Sequence, residues 1–370
     1  MLAGPGQTFR SPGSAILGHG LLRTAAGAGS VLVGLALAGS VSSGHLHLSL
    51  VWLSGWLGTA AYAAELLASL PLGVAADVLA PAALMLGGAL LSAVALLLFT
   101  LAESLPLWFF SRVLAGAAAA GVTPPLLAML ARDRAGAGRR ARLMSVFELS
   151  MLAGLAAGPV LAAQLWAHTA HGFAWCALLC LPAALLLYRG GRATPIAGAE
   201  RTRAGTQVCR DVFAPPDAYT LPAAALAALR KALRDPSLRR LAPAWLCFNS
   251  IIGLWLAPTV TYLLSAPDGP HAQYLDGLFA QRPMALAWLF AGYAVIFAAG
   301  LGAWALVLGR VGAARTLRIA LTAMLAVSGV LFTLNRCQAC HPGVRTALVV
   351  LAALLVMVES GFTPAALSWL

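Results

Sequence analysis

The sequence predicts an all-α polytopic membrane protein with about ten transmembrane helices, and three observations carry that expectation. Charged residues make up 10% of the 370-residue chain and AVILMFWYC make up 61%, against about 25% charge in ordinary soluble domains. So few charges cannot cover a water-facing surface of this size. Apolar runs longer than the ~18 residues needed to cross a bilayer recur along the chain. They are unbroken blocks of Leu and Ala, not the alternation of a transmembrane barrel.

In chain order the spans are expected at 24–44, 51–74, 82–102, 106–131, 143–166, 172–189, 243–265, 284–309, 316–335 and 344–368. Most are long enough to span with some tilt. Pro124 and Pro125 in the fourth, Gly158 and Pro159 in the fifth and Pro258 in the seventh would break soluble helices. In a membrane they are tolerated where neighbouring groups satisfy the freed backbone. The first twenty residues lack a compact apolar core followed by a small-residue cleavage site, so the first span is expected as an uncleaved anchor.

The net charge of +12 does not point to nucleic acid, because the basic residues sit between the spans, where they encode topology. With a cytoplasmic N-terminus, twenty of the 24 Lys and Arg face the cytoplasm, Arg10 and Arg23 among them. The opposite face holds only Arg282, Arg336 and Arg345, and Arg112 lies inside a span. A multi-pass protein of the cell (inner) membrane follows, with the N-terminus and residues 190–242 cytoplasmic. Residues 190–242 are polar and Arg-rich and hold Pro195, Pro215, Pro216 and Pro222. They separate a six-helix half, 1–189, from a four-helix segment, 243–370. Within the linker, LPAAALAALRKALRDPSLRRL is basic and amphipathic; it fits either the inner membrane surface or a solvated linker helix.

Local motifs add a resemblance. LPLGVAADVLAP ends the second span with Gly73 and Asp77 four residues apart. SRVLAGAAAAG opens the fourth with Arg112 and Gly116. GLAAGPVLAA in the fifth holds Gly154, Gly158 and Pro159. In order and spacing these resemble the major facilitator superfamily of secondary transporters. LGRVGAARTLR and ESGFTPAALSWL are similar to its later motifs. The resemblance implies a two-bundle helical architecture, six helices plus four here, and transport by alternating access. It also implies that Gly73 and Asp77, and Gly154, Gly158 and Pro159, belong to the conformational lock or gate, the last three matching a motif associated with antiporters. The chain departs from the pattern after Asp77, where the basic tail is replaced by Val78 to Ala83. The family has twelve helices, so a chain ending after the tenth is expected to be truncated, with an inactive transporter fragment as one alternative reading.

A charge inside a span costs at least ~2.5–3.5 kcal/mol and so needs a reason. Glu65, Arg112, Glu148 and Glu359 fall inside spans. At ~1.5 Å per residue, Arg112 lies nearer the outer boundary and the three acids lie in the inner half. Proton coupling requires a carboxylate that changes protonation as access alternates. Glu65 is the first candidate, with Arg112 biasing its charge or orienting an anionic substrate; Glu148 and Glu359 follow. Trp56, Tyr62, Asn249 and Trp255 are candidates for the cavity lining. The expected partners are a small-molecule substrate, protons and the lipid bilayer. No cofactor, metal or nucleic acid is expected, and no nucleotide loop, triad or metal-hydrolase motif suggests an enzyme.

Cys337, Cys340 and His341 spell C-x-x-C-H within NRCQACHPGV, the attachment signature of a c-type haem. A membrane-bound electron-transfer protein is therefore the rival reading. The topology makes this stretch an outer connection between the ninth and tenth spans, too short to cradle a haem. A disulfide between Cys337 and Cys340 is the alternative use of the pair.

Overall fold

The computed structural model describes residues 12–42, 50–101, 104–131, 137–192 and 282–369, with scattered residues between 230 and 279. Among the described residues ten α-helices have defined ends and there is no strand; residues 239–244 and 246–248 are helical as well. The ten are α1 (Gly13–Ser42), α2 (Leu50–Val78), α3 (Pro81–Leu101), α4 (Leu105–Ala131), α5 (Ala137–His168) and α6 (Gly172–Gly191), then α7 (Pro283–Val311), α8 (Ala313–Arg336), α9 (Pro342–Glu359) and α10 (Phe362–Trp369). Eight stretches among the described residues are long and apolar enough to cross a bilayer. The chain is an all-α, multi-pass membrane protein. The linker expected at 190–242 and the span expected at 243–265 lie largely outside the described residues.

Two boundaries differ from expectation. The first helix starts at Gly13, not residue 24, and the crossing stretch is Gly13–Ser40. Arg23, which the sequence places in a cytoplasmic segment, lies inside it. The segment Ala15–Leu22 is apolar enough to continue the span, but His19 and Arg23 interrupt the hydropathy signal. Their polar groups are satisfied by other helices, so the helix carries them inside. The last crossing stretch, Pro342–Ala366, is not one helix: it breaks at Ser360–Gly361, between α9 and α10. Prolines inside α2 (Pro71), α4 (Pro124, Pro125), α5 (Pro159) and α6 (Pro182) do not end those helices.

The chain forms two compact units. One comprises Met1–Ala26, Ala60–Gly154 and Phe173–Leu229; the other comprises Gly27–Thr59, Leu155–Gly172 and Arg230–Leu370. In the first, Leu22 of α1, Met85 and Ala89 of α3, Val122 and Leu126 of α4, Phe147 of α5 and Cys180 and Leu187 of α6 share a buried core. Small residues at these contacts let backbones approach, which drives helix association where lipid offers no hydrophobic gain. The second unit has a smaller core in which Leu317 and Met324 of α8 pack with Phe362 and Ala366 of α10. Phe362 stacks on Phe248 with ring centroids 3.9 Å apart. Outward-facing Leu97, Leu101, Val295, Leu306 and Leu354 are suited to acyl chains.

Candidate functional site

Arg23 is the centre of a polar network within the first unit. It lies ten residues into the 30-residue α1, ~15 Å along the helix axis and within the stretch Gly13–Ser40 that is long and apolar enough to cross a bilayer. Its Nη2 donates to Thr123 Oγ1 of α4 at 2.8 Å and stands 3.9 Å from Glu65 Oε1 of α2. One turn earlier on the same face, His19 accepts from Arg23 Nε at 3.4 Å. Arginine can only donate, so His19 Nε2 carries no proton and Nδ1 carries it. Nδ1 then donates to Ser150 Oγ of α5 at 2.9 Å, and Ser150 donates to Phe147 O at 2.7 Å. The imidazole is fully buried and stacks on Phe147, centroids 4.8 Å apart. One directional chain thus holds a neutral histidine against the guanidinium and ties α1 to α2, α4 and α5.

Glycines bring those helices close enough. A Cβ on Gly154 would lie 2.7 Å from the Arg23 backbone carbonyl carbon, and one on Gly158 would lie 2.8 Å from Ala28 N. The Gly154-x-x-x-Gly158 pair therefore seats α5 on α1 at the turn bearing Arg23 and the turn after it, with Pro159 buried beside it. A Cβ on Gly116 would overlap the Ala61 carbonyl and lie 2.9 Å from Glu65 N, so α4 meets α2 at the turn bearing Glu65. Side chains at these positions would separate the helices whose polar groups must meet.

The other expected site residues fall in varied surroundings. Glu148 is half-buried on α5, two residues before Ser150, and within electrostatic reach of Arg23. Arg112 is half-buried one turn before Gly116 on α4; the cation beside Glu65 is Arg23. Gly73 has open space where a side chain would be. Trp56 and Tyr62 are more than half exposed on α2. The side chain of Asp77, and Asn249 and Trp255 entirely, lie outside the described residues.

Glu359 is a second in-span acid, in the other unit. It is 3% exposed. Its Oε1 accepts from Tyr293 Oη of α7 at 3.4 Å, and its Oε2 has no hydrogen-bond partner among the described residues. It ends α9 at the break before α10. Trp304 Nε1 donates to Val358 O at 2.9 Å and Ser360 Oγ to Met357 O at 2.7 Å.

Cys337 and Cys340 are joined as a disulfide with Cα atoms 5.1 Å apart, in the turn between α8 and α9. His341 caps α9, its Nδ1 accepting from Gly343 N at 3.2 Å. Arg345 donates to the carbonyls of Cys337 and Gln338. With both sulfurs joined to each other, neither can form a thioether to a haem.

Sequence reasoning missed Arg23, His19, Thr123 and Ser150. The available signal was the four-residue spacing of His19 and Arg23 inside an apolar segment, and the fact that His19 alone among the histidines lies away from the expected outer loops.

The sequence profile of the Major Facilitator Superfamily matches residues 15–280. No curated protein matches the chain in sequence. Solved structures share its fold. The peptide transporter POT in complex with sulfate aligns with TM-score 0.66 and 15% identity, over 97% of this chain and 81% of that one. A bacterial homologue of the human lysosomal transporter Spinster, inward-facing and unoccupied, aligns with TM-score 0.60 and 14% identity, over 97% and 74%. The human organic anion transporter MFSD10 (TETRAN) aligns with TM-score 0.61 and 18% identity, over 99% and 90%.

Proposed function

Because the chain belongs to the major facilitator superfamily, we propose that this multi-pass transporter is a proton-coupled exporter of a small organic solute, working by alternating access. The observation that supports the coupling most is the Arg23–Glu65 pair, set within apolar helices, with side chains 24% and 29% exposed. A charge pair inside a span is costly unless it is used. Its partial exposure leaves the carboxylate open to protons and to solute.

In the cycle we infer, Glu65 as a carboxylate holds Arg23 through Oε1 and offers Oε2 to a hydrogen-bond donor or cationic centre on the solute. Protonation neutralises Glu65, removes its attraction for Arg23 and displaces that solute group. Proton and solute thus exclude each other at one carboxylate, which is the requirement for exchange of one against the other. Thr123 and His19 keep the guanidinium in place while Glu65 is neutral, so the pair re-forms when the proton leaves. Gly154, Gly158 and Pro159 match the motif associated with antiporters and support the export direction. Arg112 and Glu148 set the charge around the pair, and Asp77 with Gly73 belongs to the gate.

Everted membrane vesicles, loaded by an imposed pH gradient and offered ethidium and fluorescein as cationic and anionic probes, test this reading. Gradient-dependent accumulation of a probe, abolished by a protonophore, is expected. Accumulation that persists after the gradient is collapsed would contradict proton coupling.

We propose, from the distribution of Lys and Arg between the spans, that the protein lies in the cell membrane with the N-terminus and residues 190–242 in the cytoplasm and the Cys337–Cys340 turn outside. After mild reduction of intact cells, a membrane-impermeant maleimide should label Cys337 and Cys340. Labelling only after the membrane is opened would reverse the topology.

A further inference from the structure

The two ends of α8 hold their arginines differently. At the C-terminal end, Arg336 lies over the Phe332 ring, 4.7 Å from its centroid. Across the turn, Arg345 donates to the carbonyls of Cys337 and Gln338. At the N-terminal end, α7 passes to α8 through Gly312 alone, held in the left-handed region at φ 82°. The Gly312 amide closes α7 on Leu308 O at 2.9 Å, and its carbonyl starts α8 by accepting from Thr316 N at 3.1 Å. That tight turn gathers Arg310, Arg315 and Arg318 at one end of the helix pair, and all three are exposed. Arg310 and Arg315 have no hydrogen-bond or ion-pair partner among the described residues. Arg318 commits its Nε to Ala314 O at 3.4 Å. Glu359 is the only side-chain carboxylate among the described residues of this unit. It is buried at the level of Gly300, ten residues or ~15 Å of α7 short of Arg310. Three fork-shaped donors therefore stand together without an anion of the protein's own.

The surface next to them is apolar. At about 100° per residue, Arg315, Arg318, Ile319 and Leu325 share one face of α8, opposite the buried Thr316, Leu317 and Ala320. Ile319 is 43% and Leu325 61% exposed, and Leu306, one turn before Arg310 on α7, is 80% exposed. We propose that the α7–α8 turn binds an anionic phospholipid, with Arg310, Arg315 and Arg318 on the headgroup phosphate and the acyl chains along Leu306, Ile319 and Leu325. Guanidinium groups at the helix ends stand at headgroup level, and the aliphatic side chains continue into the span. A free phosphate would use the arginines and leave the aliphatic strip without a partner. Since one residue joins the two helices, a lipid held by both ties the end of α7 to the start of α8. This site goes beyond the transport reading and does not depend on it.

Native mass spectrometry of the purified full-length protein, titrated with phosphatidylglycerol or phosphatidylcholine, tests the site. The wild type should take up a first phosphatidylglycerol more tightly than phosphatidylcholine. Each of Arg310→Gln, Arg315→Gln and Arg318→Gln should weaken that step about fivefold, the weight of one basic residue at an anionic surface. Arg189→Gln, which removes an exposed charge at the end of α6 in the other unit, should leave it unchanged. Equal weakening by Arg189→Gln, or equal affinity for the two lipids, would mean diffuse surface charge and overturn the site. Inorganic phosphate in excess should not displace the lipid; displacement would assign the arginines to a free anion and overturn the lipid. Phosphatidylglycerol should also raise the melting temperature of the wild type more than that of the triple Arg→Gln variant. Equal stabilisation of the two would count against the proposal as decisively.

Discussion

Glu65 shares an oxygen with the Arg23 guanidinium at 3.9 Å, and both side chains keep about a quarter of their surface exposed. Glu359, at the end of α9, is 3% exposed and meets a phenol. Each acid lies within a membrane protein's helices, and each must be reconciled with an apolar setting. The first is reconciled by a cation supplied from another helix, whereas the second has the Tyr293 phenol as its side-chain hydrogen-bond partner among the described residues. That difference separates two kinds of in-span acid. An acid with a built-in counter-ion can lose a proton without a change of structure, which suits it to competing with a solute.

Removing the cation breaks this contrast most severely. Arg23→Leu leaves Glu65, Thr123 and His19 Nε2 without their common donor. Loss of about 2 kcal/mol of stability is expected, since stranding one member of a partly buried pair costs more than the pair contributes. Thermal unfolding of the detergent-solubilised protein measures it. A melting temperature unchanged from wild type would mean that the network adds nothing to the fold. Double substitution Arg23→Leu with Glu65→Leu should recover part of the loss.

His19 gives a smaller and more selective effect. His19→Leu removes the acceptor for Arg23 Nε and the donor to Ser150, and should cost about 1–2 kcal/mol. His19→Gln can both accept from Arg23 and donate to Ser150, so it should keep most stability and most transport. Equal loss in both variants, by melting and by probe accumulation, would show that the ring's packing on Phe147 matters and its hydrogen bonds do not.

Much of this was legible in the chain itself, for physical reasons. Composition alone separates lipid from water as the solvent, and the run lengths locate most helices. The glycines at 116, 154 and 158 are visible as a motif, and their structural reason is visible too: small residues let helices touch. Arg23 was hidden because hydropathy treats a charge as the end of a span. Its partners lie 100 residues away in the case of Thr123 and 131 away for the His19–Ser150 link, and no local spacing reveals such pairings. Glu359 could be singled out as an in-span acid, but the lack of a cation beside it among the described residues is a property of packing. The break at Ser360–Gly361 was equally hidden, since Val356–Ala366 is apolar throughout except at Glu359, Ser360 and Thr363.

The claim on which the transport account depends is that Glu65 is where proton and solute exclude each other. In proteoliposomes holding the purified full-length chain, two assays on one preparation test it: accumulation of a transported probe driven by a pH gradient, and exchange of labelled for unlabelled probe with no gradient. Glu65→Gln should keep exchange and lose gradient-driven accumulation, and its probe affinity should no longer weaken as pH falls. Accumulation by Glu65→Gln at the wild-type rate, with the wild-type dependence on the gradient, would contradict the account.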